Sequence, residues 1–260
     1  FRLYRLTDLF YFTHDEETIV WRVMPWLRDS NLFLLGGVTP FHVHLSPWFY
    51  YFSALILWLS QFNPLGWGIA ASMLSLFTML GLFILGRIWY GFRTALISVL
   101  LYSTSFLMIA FDRHYWPLVL DPLLTVISFI SLTQVIRGQL WYSLPLSVAL
   151  ALSFHTDPST WALMLLAGIT WLIFHLPVKT KPVIISLAIL VLSFAPLIAF
   201  DIKNNGVNIK AATQYLGETK PHQGWNLSRF TWTMLYLPRV ASRLILPGTS
   251  ELTHSYSYCP

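Results

Sequence analysis

The residues in this chain best suited to chemistry are three consecutive carboxylates, Asp15-Glu16-Glu17, which closely follow an aromatic run over 10–12. Carboxylates act as general bases and as ligands of hard metal ions. The cluster is conspicuous because only 10% of the residues in this sequence are charged. We therefore take the segment 13–17 as the leading candidate for a reactive site.

Further polar candidates follow the apolar runs later in the chain. Asp121 lies about one turn inside an apolar run, where it is either a site residue or a carboxylate stabilised by a helix N-terminus. His155 and Asp157 form either part of a site or an ordinary turn in which Asp157 caps the next helix. The complete set of polar candidates is Asp15, Glu16, Glu17, His42, His44, Asp112, Arg113, His114, Asp121, His155 and Asp157, with Lys203, Lys210, Lys220, His222 and Arg229 further along.

The same residues include possible metal ligands. His42 and His44 together with Asp15 and Glu16 offer imidazole and carboxylate groups, which suit zinc or manganese, whereas carboxylates alone suit magnesium. Their spacing matches no specific metal motif, so a divalent metal ion stays an open cofactor, with Glu16 and His44 as its candidate ligands. The sequence has no Gly-rich phosphate loop, Gly-x-Ser-x-Gly elbow, His-Glu-x-x-His motif or cysteine pair, which argues against nucleotide hydrolysis, serine hydrolase and zinc-protease chemistry.

The composition predicts a polytopic membrane protein with an all-α fold. Of the 260 residues, 56% are hydrophobic and 17% aromatic, and a soluble domain has about a quarter of its residues charged. The net charge of +5 is what basic cytoplasmic loops produce between apolar spans, so we expect no nucleic-acid partner. The single cysteine, Cys259, excludes an intramolecular disulfide.

Apolar runs divide the chain into a single transmembrane domain over 1–260, which we expect to be a fragment of a longer protein. An amphipathic helix is predicted over about 15–29, where apolar residues recur at helical spacing. The predicted order is an external loop at 1–47, an interfacial helix at 48–61, about six transmembrane helices over 65–200 (runs at 65–86, 92–110, 118–136, 140–154, 159–176 and 183–200), an external loop at 201–229, and a further helix with a truncated end at 230–260.

Loop charges predict the orientation of these spans. The turns at 87–93, 137–139 and 177–182 carry arginine and lysine without any acid, which the positive-inside rule assigns to the cytoplasm. Counting back through one crossing places 1–47 outside, provided that 48–61 lies along the membrane surface. In the alternative, 48–61 crosses the membrane and separates Asp15 and Glu16 from Asp112, Asp121 and Asp157.

Three stretches resemble the GT-C membrane glycosyltransferases, in particular the family 39-like group of protein O-mannosyltransferases and lipid A aminoarabinose transferases. They are RLYRLTDLFYFTHDEETIVWR, HLSPWFYYFSALILWL and LGRIWYGFRTALISVLLYSTSFLMIAFDRHYWPLVLD. The resemblance covers about 1–137 and is carried by the order and spacing of features. It implies a GT-C-like transmembrane helical bundle with external juxtamembrane helices, in which 1–9 ends a first transmembrane helix.

The resemblance also implies roles for individual residues. Asp15 matches the first-loop aspartate that the family uses as catalytic base, and Glu16 matches its acidic neighbour. Arg113 matches an arginine of the family, and either Asp112 or Asp121 takes the second acidic position. His44 with Pro47 stands where the family has His-Pro-Pro, although Leu45-Ser46 intervenes here.

The function that follows is an inverting sugar transfer at the extracytoplasmic face of the cell membrane. The donor is a polyprenyl-phosphate sugar, the acceptor is a protein, lipid or glycan, and membrane lipid is the further partner. Arg113 and one of Lys203, Lys210 or Arg229 would hold the departing phosphate as charge-assisted donors. The alternatives are a polytopic transporter or lipid flippase, which would use charges midway along its helices, and a non-catalytic membrane subunit, which gives the three carboxylates no role.

Overall fold

Helices make up nearly all of the regular structure in the described part of this chain. The computed structural model describes residues 2–10, 12–30, 32–39 and 43–218, together with Thr231 and Met234. Within these ranges the only pairing of extended backbone is an isolated antiparallel bridge between Val38 and His44. The helices are α1 (Leu6–Leu9), α2 (His14–Asp29), α3 (Trp48–Leu59), α4 (Leu65–Trp89), α5 (Phe92–Thr104), α6 (Phe106–Phe111), α7 (Asp121–Ile136), α8 (Ser143–Thr156), α9 (Trp161–Ile173), α10 (Lys181–Ser193), α11 (Ala195–Lys203) and α12 (Val207–Glu218). The all-α fold class is confirmed for the described residues.

Within the described part of the chain, two helices are long and apolar enough to cross a membrane. They are α4 and the 20-residue segment Pro117–Ile136, in which a 3-10 turn over Pro117–Leu120 leads into α7. A third candidate is the pair α10 and α11, whose axes are bent by 41° where the two helices meet. The helices α3 and α5 and the segment 158–173 are apolar but shorter than a membrane span.

The prediction of about six transmembrane helices over 65–200 is confirmed only in part, because two to three of the described helices are long and apolar enough to span a membrane. Two of the predicted runs contain a break. The run at 92–110 is broken at Ser105, whose extended backbone ends α5 and whose hydroxyl accepts a hydrogen bond from the amide of Met108 at the start of α6. The run at 183–200 bends after Ser193, because Pro196 lacks the amide hydrogen that would continue the ladder of α10. Both breaks shorten the continuous helix available to cross a bilayer.

The apolar helices form a bundle in which α4 packs against α5 and α7, and α8 packs against α7 and α10. Close approach of α4 and α5 requires Gly86, where an added Cβ would lie 2.9 Å from the Cα of Ala95. Many large apolar side chains remain exposed on the outer surface of this bundle, as a lipid-facing surface would require. Examples are Phe77, Leu80, Leu100, Leu101, Leu165, Leu172, Val191 and Leu192.

The segment before the bundle contains the predicted amphipathic helix, α2. Thr13 begins this helix with a capping box, in which its backbone amide donates to Glu16. Ile19 and Val23 are the buried apolar residues of α2, and they join the core cluster beside Phe49 of α3. The amphipathic helix predicted over about 15–29 is thereby confirmed, and α2 and α3 cover one part of the bundle.

The core under α2 and α3 contains a column of aromatic rings centred on Tyr115, which is fully buried. Its ring stacks on Phe49 at 5.5 Å and on Trp67 at 5.3 Å between centroids. Its hydroxyl lies 3.0 Å from the hydroxyl of Ser53, whose carbonyl accepts from the indole of Trp67. Tyr115 therefore fixes the short connection between α6 and α7 against α3 and α4.

The predicted external loop at 201–229 begins with helix rather than irregular structure. Val207–Glu218 is helical, and the carboxylate of Asp201 accepts a hydrogen bond from the amide of Asn208 in its first turn. Favourable capping of this kind explains why a polar stretch forms a helix here. His42, Lys220, His222, Arg229 and the predicted helix within 230–260 lie outside the described residues, apart from Thr231 and Met234.

Candidate active site

The candidate site is built on Glu16, whose side chain is fully buried at the N-terminus of α2. One carboxylate oxygen accepts hydrogen bonds from the amide and the hydroxyl of Thr13, at 2.8 and 2.6 Å. The other oxygen accepts from the amide of Tyr115 at 3.0 Å and lies 2.9 Å from Nδ1 of His114. Glu16 thus joins the start of α2 to the α6–α7 connection.

His114 lies between the first two carboxylates of the cluster. Its Nδ1 faces Glu16, and its Nε2 lies 3.2 Å from Oδ2 of Asp15. The ring of Trp116 packs against the imidazole at 5.1 Å between centroids. The residues Asp15, His114 and Glu16 therefore form a continuous carboxylate–imidazole–carboxylate cluster, which we call the acid–histidine cluster.

The charges in this cluster stabilise one another. Burial alone would raise the pKa of Glu16, but the hydrogen bonds from His114 and Thr13 outweigh burial and lower the pKa to about 2. Burial alone would lower the pKa of His114, but the hydrogen bonds and negative charges of Glu16 and Asp15 raise it above its ordinary value. Glu16 is accordingly an ionised carboxylate at neutral pH, and it favours the imidazolium form of His114.

Asp15 is the member of the cluster that remains accessible, with a side chain 54% exposed. It lines a cleft of about 240 Å³ together with Thr39, Tyr50, Trp116, Thr156 and Asp157. The walls of this cleft come from α2, the segment before α3, the first turn of α3, the start of the α7 segment and the end of α8. A half-exposed carboxylate at the mouth of a mixed polar and aromatic cleft has the accessibility that a general base requires.

The opposite wall of the cleft carries the later acidic candidates. Asp157 lines the cleft directly, and its carboxylate accepts a hydrogen bond from the amide of Ser159, so it also caps the following turn. Asp121 is joined to the same wall because the hydroxyl of Thr156 donates to its carboxylate at 2.7 Å. The structure therefore brings Asp15, Asp121 and Asp157 to one end of the bundle. The separation of Asp15 from Asp157 that the alternative topology predicts is not observed, because both residues line the same cleft.

Asp112 lies apart from the cleft in a closed polar cluster. Its side chain is 4% exposed and forms an ion pair with Arg2 at 2.6 Å. The hydroxyl of Ser75 donates to it at 2.5 Å, and the hydroxyl of Tyr102 lies 3.3 Å away. We correct the expectation that Asp112 binds substrate, because these protein groups surround a carboxylate that solvent does not reach. Asp121 is the acidic residue that stands nearer to the cleft.

The cationic candidates take different positions. Arg113 adjoins the acid–histidine cluster in sequence, and its guanidinium donates to the carbonyl of Tyr4 at 3.2 Å. Lys203 is exposed in the last turn of α11. Arg113 is therefore the predicted phosphate-binding residue that the fold holds beside His114, whereas Lys203 belongs to the α11–α12 region.

The two histidine candidates do not reach Asp15. His44 faces α12, where its amide donates to the side-chain oxygen of Asn208 at 2.9 Å and its Nδ1 lies 3.0 Å from that oxygen. His155 is buried near the bend of α10 and α11, with Nε2 3.3 Å from the hydroxyl of Ser193. His44 and His155 are thus associated with the C-terminal helices and lie outside the cleft lining.

A metal centre does not fit the arrangement of the described residues. Among them no three His, Cys, Asp or Glu side chains are grouped so as to hold a metal ion. Both oxygens of Glu16 are already hydrogen-bonded within the protein, and His44 is paired with Asn208. The suggested pair of ligands, Glu16 and His44, is therefore corrected, and no step of the chemistry below is assigned to a metal.

The sequence pointed to His114 without a role, and neither Thr156 nor Trp116 was predicted to be a site residue. The partners of His114 are 99 positions or so away along the chain, so their pairing leaves no local signal. The one available signal was the position of His114 beside Arg113, at the end of an apolar run that faces the same side as Asp15.

The chain matches no protein-family model, no curated protein and no solved structure. The GT-C resemblance therefore depends on the stretches that carry it. The geometry of the cleft and of the acid–histidine cluster provides separate support for a function at this end of the bundle.

Proposed function

We propose that this protein is a multi-pass membrane glycosyltransferase of the GT-C type, which uses a polyprenyl-phosphate sugar as donor. The observation that carries the proposal is the accessible carboxylate of Asp15 at the mouth of the cleft, held by His114 against a buried, ionised Glu16. Rival functions for a hydrophobic helical protein give no reason to build such a carboxylate beside an aromatic-lined cleft.

Asp15 acts in this proposal as the general base for one inverting displacement. The carboxylate takes the proton of the acceptor hydroxyl while the oxygen of that hydroxyl forms a bond to the anomeric carbon of the donor. The bond from that carbon to the lipid-phosphate oxygen breaks, and the electron pair leaves with the phosphate. General base catalysis of this kind contributes typically about 10²–10⁴-fold to a rate.

The other cleft residues bind and orient. Trp116 and Tyr50 offer aromatic surfaces to the sugar or acceptor, and Asp157 offers a hydrogen-bond acceptor on the opposite wall. Arg113 adjoins His114 in the chain, and in this proposal it stabilises the charge on the departing phosphate. The apolar outer surface of the bundle would keep the polyprenyl tail in the bilayer.

The proposal places the cleft at the extracytoplasmic face. Its support is the distribution of charge, because Arg87 and Arg93 flank the turn between α4 and α5, Lys179 and Lys181 lie at the turn between α9 and α10, and neither place carries an acid. The cleft lies at the other end of these helices. Sugar transfer from a lipid carrier at that face is the reaction that such a location favours.

The test is sugar transfer by Asp15→Asn in membranes supplied with labelled polyprenyl-phosphate sugars. We expect a loss of about 10²–10⁴-fold in kcat, because the amide cannot accept the proton. The matched control is Glu17→Gln, which removes a neighbouring carboxylate that is exposed and contacts Trp21 and His14. The control is expected to retain the wild-type rate.

Undiminished transfer by Asp15→Asn would contradict the proposal. So would sealed vesicles in which the wild-type protein moves the lipid-linked sugar between leaflets without forming any glycosylated product. That second result would favour the transporter or flippase.

A further inference from the structure

His114 contacts a carboxylate through each of its two ring nitrogens, and this arrangement restricts the protonation state of the ring. Nδ1 lies 2.9 Å from a Glu16 oxygen, and Nε2 lies 3.2 Å from an Asp15 oxygen. Ionised carboxylates only accept hydrogen bonds, and a neutral imidazole carries a single N–H. Both contacts can be hydrogen bonds at once only when both ring nitrogens carry a proton, which is the imidazolium form.

The surroundings hold the ring in this orientation. Glu16 cannot move away, because the amides of Thr13 and Tyr115 fix its two oxygens and its side chain is fully buried. Trp116 packs against the ring. The imidazole is itself only 22% exposed, whereas the Asp15 side chain is 54% exposed. The rigid end of the bridge is thus inside the protein, and the accessible end faces the cleft.

We infer that His114 is a positioning residue that acts as an imidazolium bridge and orients the Asp15 carboxylate toward the cleft. This inference rests on the proposed function, because it deepens the role of Asp15 as base. His114 does not touch the reacting atoms. Its effect is transmitted through the Nε2 contact to Asp15, while Glu16 supplies the negative charge that keeps the imidazole protonated.

The bridge makes the reaction sensitive to alkaline pH. The charged groups that contact His114 are Asp15 and Glu16 on α2, and Arg113 precedes it in the chain. As the pH rises through the pKa of His114, the ring loses one proton. One ring nitrogen then faces a carboxylate oxygen with no hydrogen between them, so that hydrogen bond is lost. The orientation of Asp15 is then lost, and kcat falls.

The first experiment compares sugar transfer by His114→Gln with transfer by His14→Gln across pH. We expect kcat of His114→Gln to fall about 100-fold, as for a misplacement of about 1 Å at a reacting group. The KM for the donor should change little, and the alkaline decline of the wild-type profile should be absent. His14 is 89% exposed, so its variant should keep the wild-type rate and profile.

The second experiment measures the bridge without any assay of activity. The full chain, labelled with ¹⁵N-histidine, is purified in detergent micelles and titrated by NMR, and the His114 signals are assigned by their loss in His114→Gln. We expect both ring nitrogens to be protonated at pH 6.5 and the titration midpoint to lie above that pH. Asp15→Asn should move the midpoint downward, because it removes one negative partner.

The outcomes separate this inference from the proposed function. Loss of transfer in Asp15→Asn with a normal rate and pH profile in His114→Gln would overturn the role of His114 and leave the function standing. Normal transfer in Asp15→Asn would overturn the function and the positioning role with it. If no transfer is found at all, the proposed function is wrong, and the NMR titration still tests whether His114 forms an imidazolium bridge. A ring that is neutral at pH 6.5 would overturn the bridge in every case.

Discussion

Two clusters of carboxylates and cations differ in what surrounds them, although Asp112 of the first and His114 of the second are only two positions apart in the chain. Asp112 pairs with Arg2 and is enclosed by protein, with side chains 4% and 6% exposed. Asp15 pairs with His114 at a cleft and is half-exposed. The first arrangement satisfies its carboxylate completely within the protein. The second leaves a carboxylate available to a substrate.

The comparison shows that the role of a charged residue near a predicted membrane surface depends on how completely other protein groups enclose its side chain. The Arg2–Asp112 cluster ties the segment before α1 to α4 through Ser75 and to the end of α5 through Tyr102 and the carbonyl of Ser103. The acid–histidine cluster ties α2 to the α6–α7 connection through the buried Glu16, which meets both His114 and Tyr115. Its outer member, Asp15, adds one contact to His114 and keeps a half-exposed carboxylate.

The largest effect should come from opening the closed cluster. Arg2→Met leaves the carboxylate of Asp112 buried without its cation, and breaking a buried ion pair in this way costs about 3–5 kcal/mol. We expect that loss in the free energy of unfolding, measured by denaturant titration in detergent micelles. The matched control is Arg5→Met, because Arg5 pairs with Asp8 at the surface, where such pairs contribute less than about 1 kcal/mol.

Replacing both partners sharpens the same comparison. The double variant Arg2→Met, Asp112→Leu removes the charge as well as the cation, so it should recover most of the stability that Arg2→Met loses. A double variant that is less stable than Arg2→Met would contradict this expectation. It would show that the loss of stability in Arg2→Met does not come from the unpaired, buried charge of Asp112. Equal stability of Arg2→Met and Arg5→Met would contradict the closed character of the cluster.

An intermediate effect is expected from the buried end of the acid–histidine cluster. Glu16→Gln replaces a charged acceptor that meets four donor groups, and hydrogen bonds to charged groups contribute about 1.5–3 kcal/mol. The pKa of Glu16 is lowered from 4.5 to about 2, so its stabilisation is present above pH 4.5 and is lost as the pH falls through about 2. The unfolding free energies of wild type and Glu16→Gln should therefore differ at pH 6 and converge near pH 2, with Glu17→Gln as control.

The smallest effect concerns stability at the alkaline side. The pKa of His114 is raised, so its favourable contribution is fully present below pH 6.5 and is lost as the pH rises through its folded-state pKa. The stability difference between wild type and His114→Gln should shrink over that window, as followed by unfolding at pH 6 and at increasing pH. A difference that grows with pH would contradict the charged bridge, and His14→Gln should show no trend.

Much of the secondary structure follows from local sequence. The apolar spacing in 15–29 predicts α2, which runs over His14–Asp29, and the apolar run at 48–61 predicts α3, which runs over Trp48–Leu59. Breaks inside the apolar runs were missed. Pro196 and the polar stretch Tyr102–Ser105 both indicate a helix break, but hydrophobicity averaged over a window does not detect them.

The site was only partly predictable, for a physical reason. Asp15 stands out because its type and setting are local properties of the sequence. The different roles of Asp112 and His114 depend on partners about 100 positions away, Arg2 for the former and Glu16 for the latter. Only packing of α2 and the first residues against the α6–α7 connection decides which of these groups is enclosed and which faces the cleft.

The most direct test of the central claim compares Asp15→Asn with Asp112→Asn by two measurements on each variant, the rate of sugar transfer from polyprenyl-phosphate donors and the free energy of unfolding. We expect Asp15→Asn to lose about 10²–10⁴-fold in kcat at nearly unchanged stability, whereas Asp112→Asn should lose stability. A normal transfer rate in Asp15→Asn, or a loss of stability in Asp15→Asn as large as in Asp112→Asn, would contradict the central claim.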